Sequence, residues 1–191
     1  MADERTSWDR RYREGSHASL KPDPLLPYAY EQFLKPLFPK GGTALDVAGG
    51  VGRHAIWLAD RGWRVTLLDI SETGVNKARE HAGKCVRPIE FVVRDLTGFK
   101  ARNSRYDFVL VFFYLERKIF PELVKSLRPG GVLVYKTYTE LQRKFGGGPT
   151  HPMHLLKLNE LLRAFSALRI LHYRETIRDR GTAELIGVKK K

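Results

Sequence analysis

Cysteine occurs once in the 191 residues, as Cys85. A single thiol excludes an intramolecular disulfide and a structural zinc cluster made of several thiolates. That economy of thiols fits a reducing compartment, so a cytoplasmic localisation is expected. Long apolar runs are lacking too. The longest, residues 108–115, is far too short to cross a bilayer, and no membrane partner is expected. The opening Met1-Ala2-Asp3-Glu4-Arg5 is polar with no apolar segment behind it, which predicts no signal peptide. There is no internal repeat, no low-complexity block and no Ser/Gly linker, and no run of five like charges that would mark a disordered basic tail.

What is present is the composition of an ordinary globular domain, with 42% hydrophobic and 29% charged residues. The charge balance stands out: 34 Lys and Arg against 21 Asp and Glu give a net +13. Residues 1–100 carry only +3 of it and residues 101–191 carry +10. Two readings are open, a solvated surface or attraction of an anionic partner such as a small anion or a nucleic-acid backbone.

Residues 1–40 read as a helical arm, domain-like in its separateness, ahead of a single domain over residues 41–191. Ser7 can cap a short helix that carries Trp8 and Tyr12, and Pro22, Pro24 and Pro27 follow. An amphipathic piece over 28–34 should end before Pro36. From Thr43 strands and helices alternate. Strands are predicted over 43–47, 63–69, 89–93, 106–113, 132–138, 168–176 and 182–188. Helices are predicted over 53–60, from the cap Ser71 to 81, over 119–127 and from Asn159 to 165, with a turn at Arg128-Pro129-Gly130-Gly131. Nearly continuous β-branched and aromatic strands alternating with helices predict a doubly wound α/β fold around a buried, mostly parallel sheet.

The chemistry starts at Asp46-Val47-Ala48-Gly49-Gly50-Val51-Gly52, which joins a strand directly to a helix. Gly49, Gly50 and Gly52 let backbone approach a ligand closely, and the helix start offers free N–H groups. The spacing of Gly50, Gly52 and Ala55 also satisfies a dinucleotide pattern, and Asp69 ends the next strand where a ribose-binding acid belongs. An NAD-type oxidoreductase or another adenosine-ligand binder therefore stays open at this stage. Asp46 lies inside the strand end, within reach of the loop and of a ligand's amino-acid head. Asp95 stands just past the third strand, where an adenine amine would need an acceptor.

The run Leu127-Arg128-Pro129-Gly130-Gly131-Val132-Leu133-Val134, following Tyr106-Asp107-Phe108-Val109-Leu110-Val111, resembles the Rossmann-like methyltransferases. The resemblance implies a seven-stranded sheet with an antiparallel last strand, here 182–188, and S-adenosyl-L-methionine as cofactor. It implies a cofactor site of Asp46, Ala48, Gly49, Gly50, Gly52, Asp69, Ile70, Asp95, Leu96 and Phe112. Ala48 stands where the first glycine of the usual loop would be. Trp8-Asp9-x-x-Tyr12, with Arg53-His54-Ala55-Ile56-Trp57-Leu58-Ala59 and Arg61-Gly62, resembles the tellurite-resistance type of small-molecule methyltransferase. In that type an N-terminal arm folds over the cofactor, so Trp8 and Tyr12 are expected as lid aromatics.

The acceptor side is defined largely by exclusion. Phe112-Phe113-Tyr114-Leu115-Glu116-Arg117 lacks the Asn/Asp-Pro-Pro-aromatic cluster of amino-directed DNA enzymes. Cys85 is on the wrong element for carbon-5 cytosine chemistry, and only Glu116 is near where a catechol-type metal site would need several acids, so no metal is expected. Tyr114 and Tyr138 are candidate pocket residues, Arg117 a candidate anion clamp aided by Arg178 or Arg180, and His151 the candidate base. His54 and His81 read as ordinary helix histidines. The expected acceptor is a small anionic or soft nucleophile, with RNA or a nucleotide as the alternative partner that the basic second half allows.

Overall fold

The computed structural model describes residues 2–83, 88–101 and 103–190, and Cys85 lies outside them. Seven strands form one sheet in the order β3-β2-β1-β4-β5-β7-β6. They are β1 (Thr43–Val47), β2 (Arg64–Asp69), β3 (Ile89–Val93), β4 (Tyr106–Phe112), β5 (Leu127–Tyr138), β6 (Leu168–Thr176) and β7 (Thr182–Lys189). Seven strands with an antiparallel last one is the architecture the sequence predicts. The chain divides into two compact units, residues 1–96 and 97–191.

In the first unit β1, β2 and β3 run parallel, with Thr43 opposite Arg64 and Val65 opposite Ile89. Ala44, Leu45, Val47, Val65, Leu67 and Leu68 are all buried, which is why these strands read as continuous apolar runs rather than alternating ones. Helix α4 (Arg53–Ala59) follows β1. Helix α5 (Glu72–Ala82) follows β2, and Ser71 caps it by accepting the Gly74 amide at 2.9 Å.

The N-terminal segments differ from expectation in two ways. Helix α1 spans Ala2–Arg13, so Ser7 lies inside it instead of capping it. Glu4 near its start and Arg10, Arg11 and Arg13 in its last turn suit the helix dipole, which lets the helix begin early. The second difference lies at Pro36. Helix α2 (Leu25–Ala29) widens into a π turn, Tyr30–Leu34, and continues as α3 (Lys35–Leu37). In the wide turn the Lys35 amide bonds to the Tyr30 carbonyl, five residues back. A proline ring in a regular helix would meet the carbonyl four residues back, and the wide turn moves that carbonyl aside.

The expected boundary at residue 40 has no counterpart in the packing. Leu26, Ala29 and Leu34 are fully buried, and the Asp23 amide donates to Nε2 of buried His54 at 3.2 Å. Residues 23–37 thus bury one side, through Leu25, Leu26, Ala29 and Leu34, while Tyr28 and Leu37 stay exposed.

In the second unit β4 and β5 are parallel, Phe108 opposite Val132 and Phe112 opposite Lys136. The register shifts between Tyr106, opposite Leu127, and Phe108, opposite Val132, so the expected turn 128–131 is a bulge inside β5. Gly130 there has φ 80°. Strand β7 is antiparallel to both β5 and β6. Helices α6 (Phe120–Ser126) and α7 (Glu160–Ala164) cover one face, where Phe120, Tyr135 and Phe165 meet with centroids 5.1–5.7 Å apart. Buried Gln142 ties two loops of this unit. Its Nε2 donates to the Gly147 carbonyl at 2.6 Å and its Oε1 accepts the Gly181 amide at 3.0 Å.

If the buried side of residues 23–37 anchors the segment in the core, Leu26→Ala destabilises the protein by about 2–5 kcal/mol, as for other fully buried leucines. Urea unfolding measures it. A loss below about 0.5 kcal/mol, the range of ordinary surface changes, would return the segment to the status of an appendage.

Candidate active site

The loop after β1 is built from left-handed backbone. Ala48, Gly50 and Gly52 have φ of 56°, 54° and 83°. The Gly49 amide donates to the Leu68 carbonyl at 3.0 Å, and the Gly50 amide donates to Oδ2 of Asp69 at 2.8 Å. There is no room for a side chain at Gly49. A Cβ on Gly49 would come within 2.7 Å of the Leu67 side chain and 3.0 Å of the Asp46 carboxylate. Ala48 occupies its left-handed position with a methyl group, at a cost of about 1–2 kcal/mol relative to a right-handed residue.

Two acids end adjacent strands. Asp69 accepts the Gly50 amide on one oxygen and the Ser71 amide, at 2.9 Å, on the other. A carboxylate has about four acceptor sites, so these bonds leave capacity for a ligand hydroxyl. Burial pushes Asp69 up to about 6, against the lowering effect of those amides. Asp46 is buried and its Oδ2 has no hydrogen-bond partner. Burial raises it to about 7, with Arg53 opposing and Asp69 reinforcing the shift.

Helix α1 lies directly on this loop. A Cβ on Gly50 would run into the Tyr12 hydroxyl, and one on Gly74 would meet the Tyr12 ring at 2.8 Å. Burial, then the nearby Asp69 charge, raises the Tyr12 phenol far above its ordinary value. Trp8 stacks on Tyr12 at 5.7 Å, and His17 stands 5.7 Å from Trp8. Ile70 is half-buried just past β2. Asp95 is half-buried and Leu96 buried, just past β3. The first unit thus gathers Trp8, Tyr12, Asp46, Ala48, Gly49, Gly50, Gly52 and Asp69 at one place. Phe112, the buried last residue of β4, belongs to the second unit.

Three residues of the first unit escaped the sequence reading. Asp9 accepts the Ser71 hydroxyl at 2.5 Å and the Thr73 amide at 3.0 Å, and Lys77 donates to the Tyr12 carbonyl. His17 has φ 59°, and burial with nearby Arg53 and Arg11 holds its imidazole below the ordinary value. Asp9 lay within the quoted Trp8-Asp9-x-x-Tyr12 run, but its partner was invisible without the fold.

The acceptor candidates occupy the second unit. Arg117 grips Glu160 with two bonds, at 2.6 and 3.0 Å, and donates to the Met153 and Leu155 carbonyls at 3.2 and 2.9 Å. Its guanidinium is an internal clasp rather than an open clamp. His151 is exposed, and its Nδ1 accepts the Met153 amide at 3.3 Å as a cap of the turn Pro152–His154. The Tyr114 carbonyl accepts the Tyr135 hydroxyl at 2.8 Å. Tyr138 packs on Phe113, 5.1 Å between centroids, and Phe113 follows β4 with φ 58°. Lys136 pairs with buried Glu184 at 3.0 Å, and Glu184 also receives Arg174 at 2.9 Å. Arg178 and Arg180 are exposed.

The raised acids predict a pH dependence. In the unfolded chain both titrate near 4, whereas folded Asp69 and Asp46 titrate at about 6 and about 7. The folded state therefore holds their protons longer, and stability falls as pH rises from about 4 through about 7. Urea midpoints between pH 5 and 8 should decline, and Asp46→Asn should flatten the decline. An identical slope in that variant would place the titration elsewhere.

Comparison with known proteins agrees with this geometry. A family model described as a methyltransferase domain matches residues 44–131. The putative methyltransferase YqeM of Bacillus subtilis is 28% identical over 133 residues, 63% of this chain and 53% of that protein. The ubiquinone/menaquinone biosynthesis C-methyltransferase UbiE of Brucella abortus is 28% identical over 120 residues, 58% of this chain and 45% of that one. The chain thus spans about half the length of the curated relatives it matches. TehB from Haemophilus influenzae superposes over 94% of this chain and 66% of its own, with TM-score 0.75 and 17% identity. A methyltransferase structure from Methanosarcina mazei covers 89% of this chain and 99% of its own, with TM-score 0.67 and 18% identity. The chain shares the fold of these class I, Rossmann-like methyltransferase structures, and a methyltransferase-domain model matches its residues 44–131.

Proposed function

We propose that the chain binds S-adenosylmethionine on the glycine loop and transfers its methyl group to a small anionic or soft nucleophile. The observation that carries the cofactor half is the buried Asp46 oxygen without a partner, beside Gly49, where a Cβ would crowd that carboxylate. A buried carboxylate oxygen is costly unless a donor reaches it, and the ammonium of an amino-acid head is such a donor. Asp69 would take ribose hydroxyls and Asp95 the adenine amine, with Ile70 and Leu96 as the apolar flanks. Bound there, the cofactor supplies a methyl carbon already activated by a sulfonium. The chain's part is then to orient, to exclude water through Trp8 and Tyr12, and to bring the nucleophile in line.

The basic second half supports an anionic acceptor, although several of its cations serve the fold. Arg117 is held by Glu160 and two carbonyls, so of the three candidate arginines Arg178 and Arg180, both exposed, are the ones to meet an oxyanion. His151 already uses Nδ1 to accept a backbone amide. A soft nucleophile, which needs no general base, accords with that arrangement better than a hydroxyl does.

Calorimetry with S-adenosylhomocysteine should give micromolar binding or better, and NAD should give none. Asp46→Asn should weaken S-adenosylhomocysteine about tenfold, equivalent to about 1.4 kcal/mol. Equal binding of NAD, or an unaffected Asp46 variant, overturns the cofactor reading. A screen of thiols, small oxyanions and RNA transcripts tests the acceptor, and activity confined to RNA overturns the small-molecule half.

A further inference from the structure

Helix α1 is fastened to α5 at both ends of their contact. Oδ1 of Asp9 accepts the Ser71 hydroxyl and the Thr73 amide, so a side chain from α1 completes the N-terminal cap of α5 from 62 residues away. At the other end, Nζ of Lys77 on α5 donates to the carbonyl of Tyr12, at the negative pole of α1. Between these fastenings the Tyr12 ring covers Gly50 and Gly74.

Ser71 makes this more than a packing contact. Its amide donates to Asp69 at 2.9 Å while its hydroxyl donates to Asp9 at 2.5 Å. The same Asp69 carboxylate takes the Gly50 amide. One continuous path of hydrogen bonds therefore runs from the glycine loop through Asp69 and Ser71 to Asp9 on α1. Burial raises Asp9, and the Ser71 and Thr73 bonds more than reverse that, leaving its carboxyl below the usual range.

We propose that Asp9 is a positioning residue that couples closure of α1 to occupancy of the cofactor site, acting through Ser71 on Asp69. The inference rests on reading the glycine loop as the S-adenosylmethionine site. A ligand that orients Asp69 also orients Ser71, and so strengthens the seat of Asp9. A seated Asp9 in turn holds Tyr12 over the loop. Linkage makes the effect reciprocal: the factor by which the ligand favours closure of α1 equals the factor by which closure tightens the ligand.

The test combines limited trypsin cleavage at Arg10, Arg11 and Arg13 with S-adenosylhomocysteine binding, on the full chain. In the wild type the ligand should slow cleavage in α1 at least fivefold. Asp9→Ala should speed ligand-free cleavage there about tenfold, abolish the ligand's protection and weaken S-adenosylhomocysteine about tenfold, mainly through faster dissociation. Asp9→Asn, whose amide oxygen can accept both bonds, should recover most of the protection and affinity. A purely structural role for Asp9 would lower the melting temperature and leave the ligand's protection of α1 intact. Protection and affinity in Asp9→Ala equal to wild type overturn the coupling. Wild-type chain that binds no S-adenosylhomocysteine overturns the cofactor reading instead, whatever cleavage shows at α1.

Discussion

Asp69 holds the ends of two segments that would otherwise be free to separate. One oxygen fixes the glycine loop through Gly50 and the other fixes the start of α5 through Ser71. Placing that carboxylate among buried strands raises it to about 6, and the two amides are what make its burial tolerable. The left-handed conformations of Ala48, Gly50 and Gly52, the seat of Tyr12 and the cap of α5 all depend on this one anchored group. The Asp69 charge adds to the upward shift that burial imposes on Asp46, so the two acids beneath the loop are electrostatically linked.

The strands were legible because parallel strands buried on both faces leave an unmistakable continuous apolar signature, as in residues 43–47 and 106–112. The bounds of β1, β3 and β6 also came out as predicted, although β3 and β6 are only partly buried and β6 pairs antiparallel with β7. The glycine loop and its two acids were legible because a strand running straight into glycines is a local pattern. The N-terminal region was not. Ser7 is a good cap in the abstract and Pro36 a good stop, yet α1 starts earlier and the π turn carries the chain past the proline. Neither outcome follows from nearest neighbours. The burial of Leu26 and Leu34, and the reach of Asp9 to Ser71, are long-range facts that local pattern cannot carry.

The charge count was legible as a number and misleading as a map. Of the second unit's cations, Arg117 serves Glu160, Arg128 serves Asp107, Lys136 and Arg174 share Glu184, and Lys189 donates to the Leu127 carbonyl. For all of these but Lys189, the field at the surface is partly cancelled by the acid that the cation holds. A net charge read from composition is therefore a statement about solubility and long-range attraction more than about a recognition surface.

Gln142 gives two loops a shared fate. Its amide is the donor for Gly147 and the acceptor for Gly181, two opposite roles that only a side chain with both an NH₂ and a carbonyl can fill at once. A glutamate could serve one loop and a lysine the other, but neither could serve both. The segments around residues 146–148 and 178–181 are in this sense the two arms of one mechanical linkage, pivoting on a single planar group. Crowding at the glycines or at the exposed arginines therefore bears on both arms through that one amide.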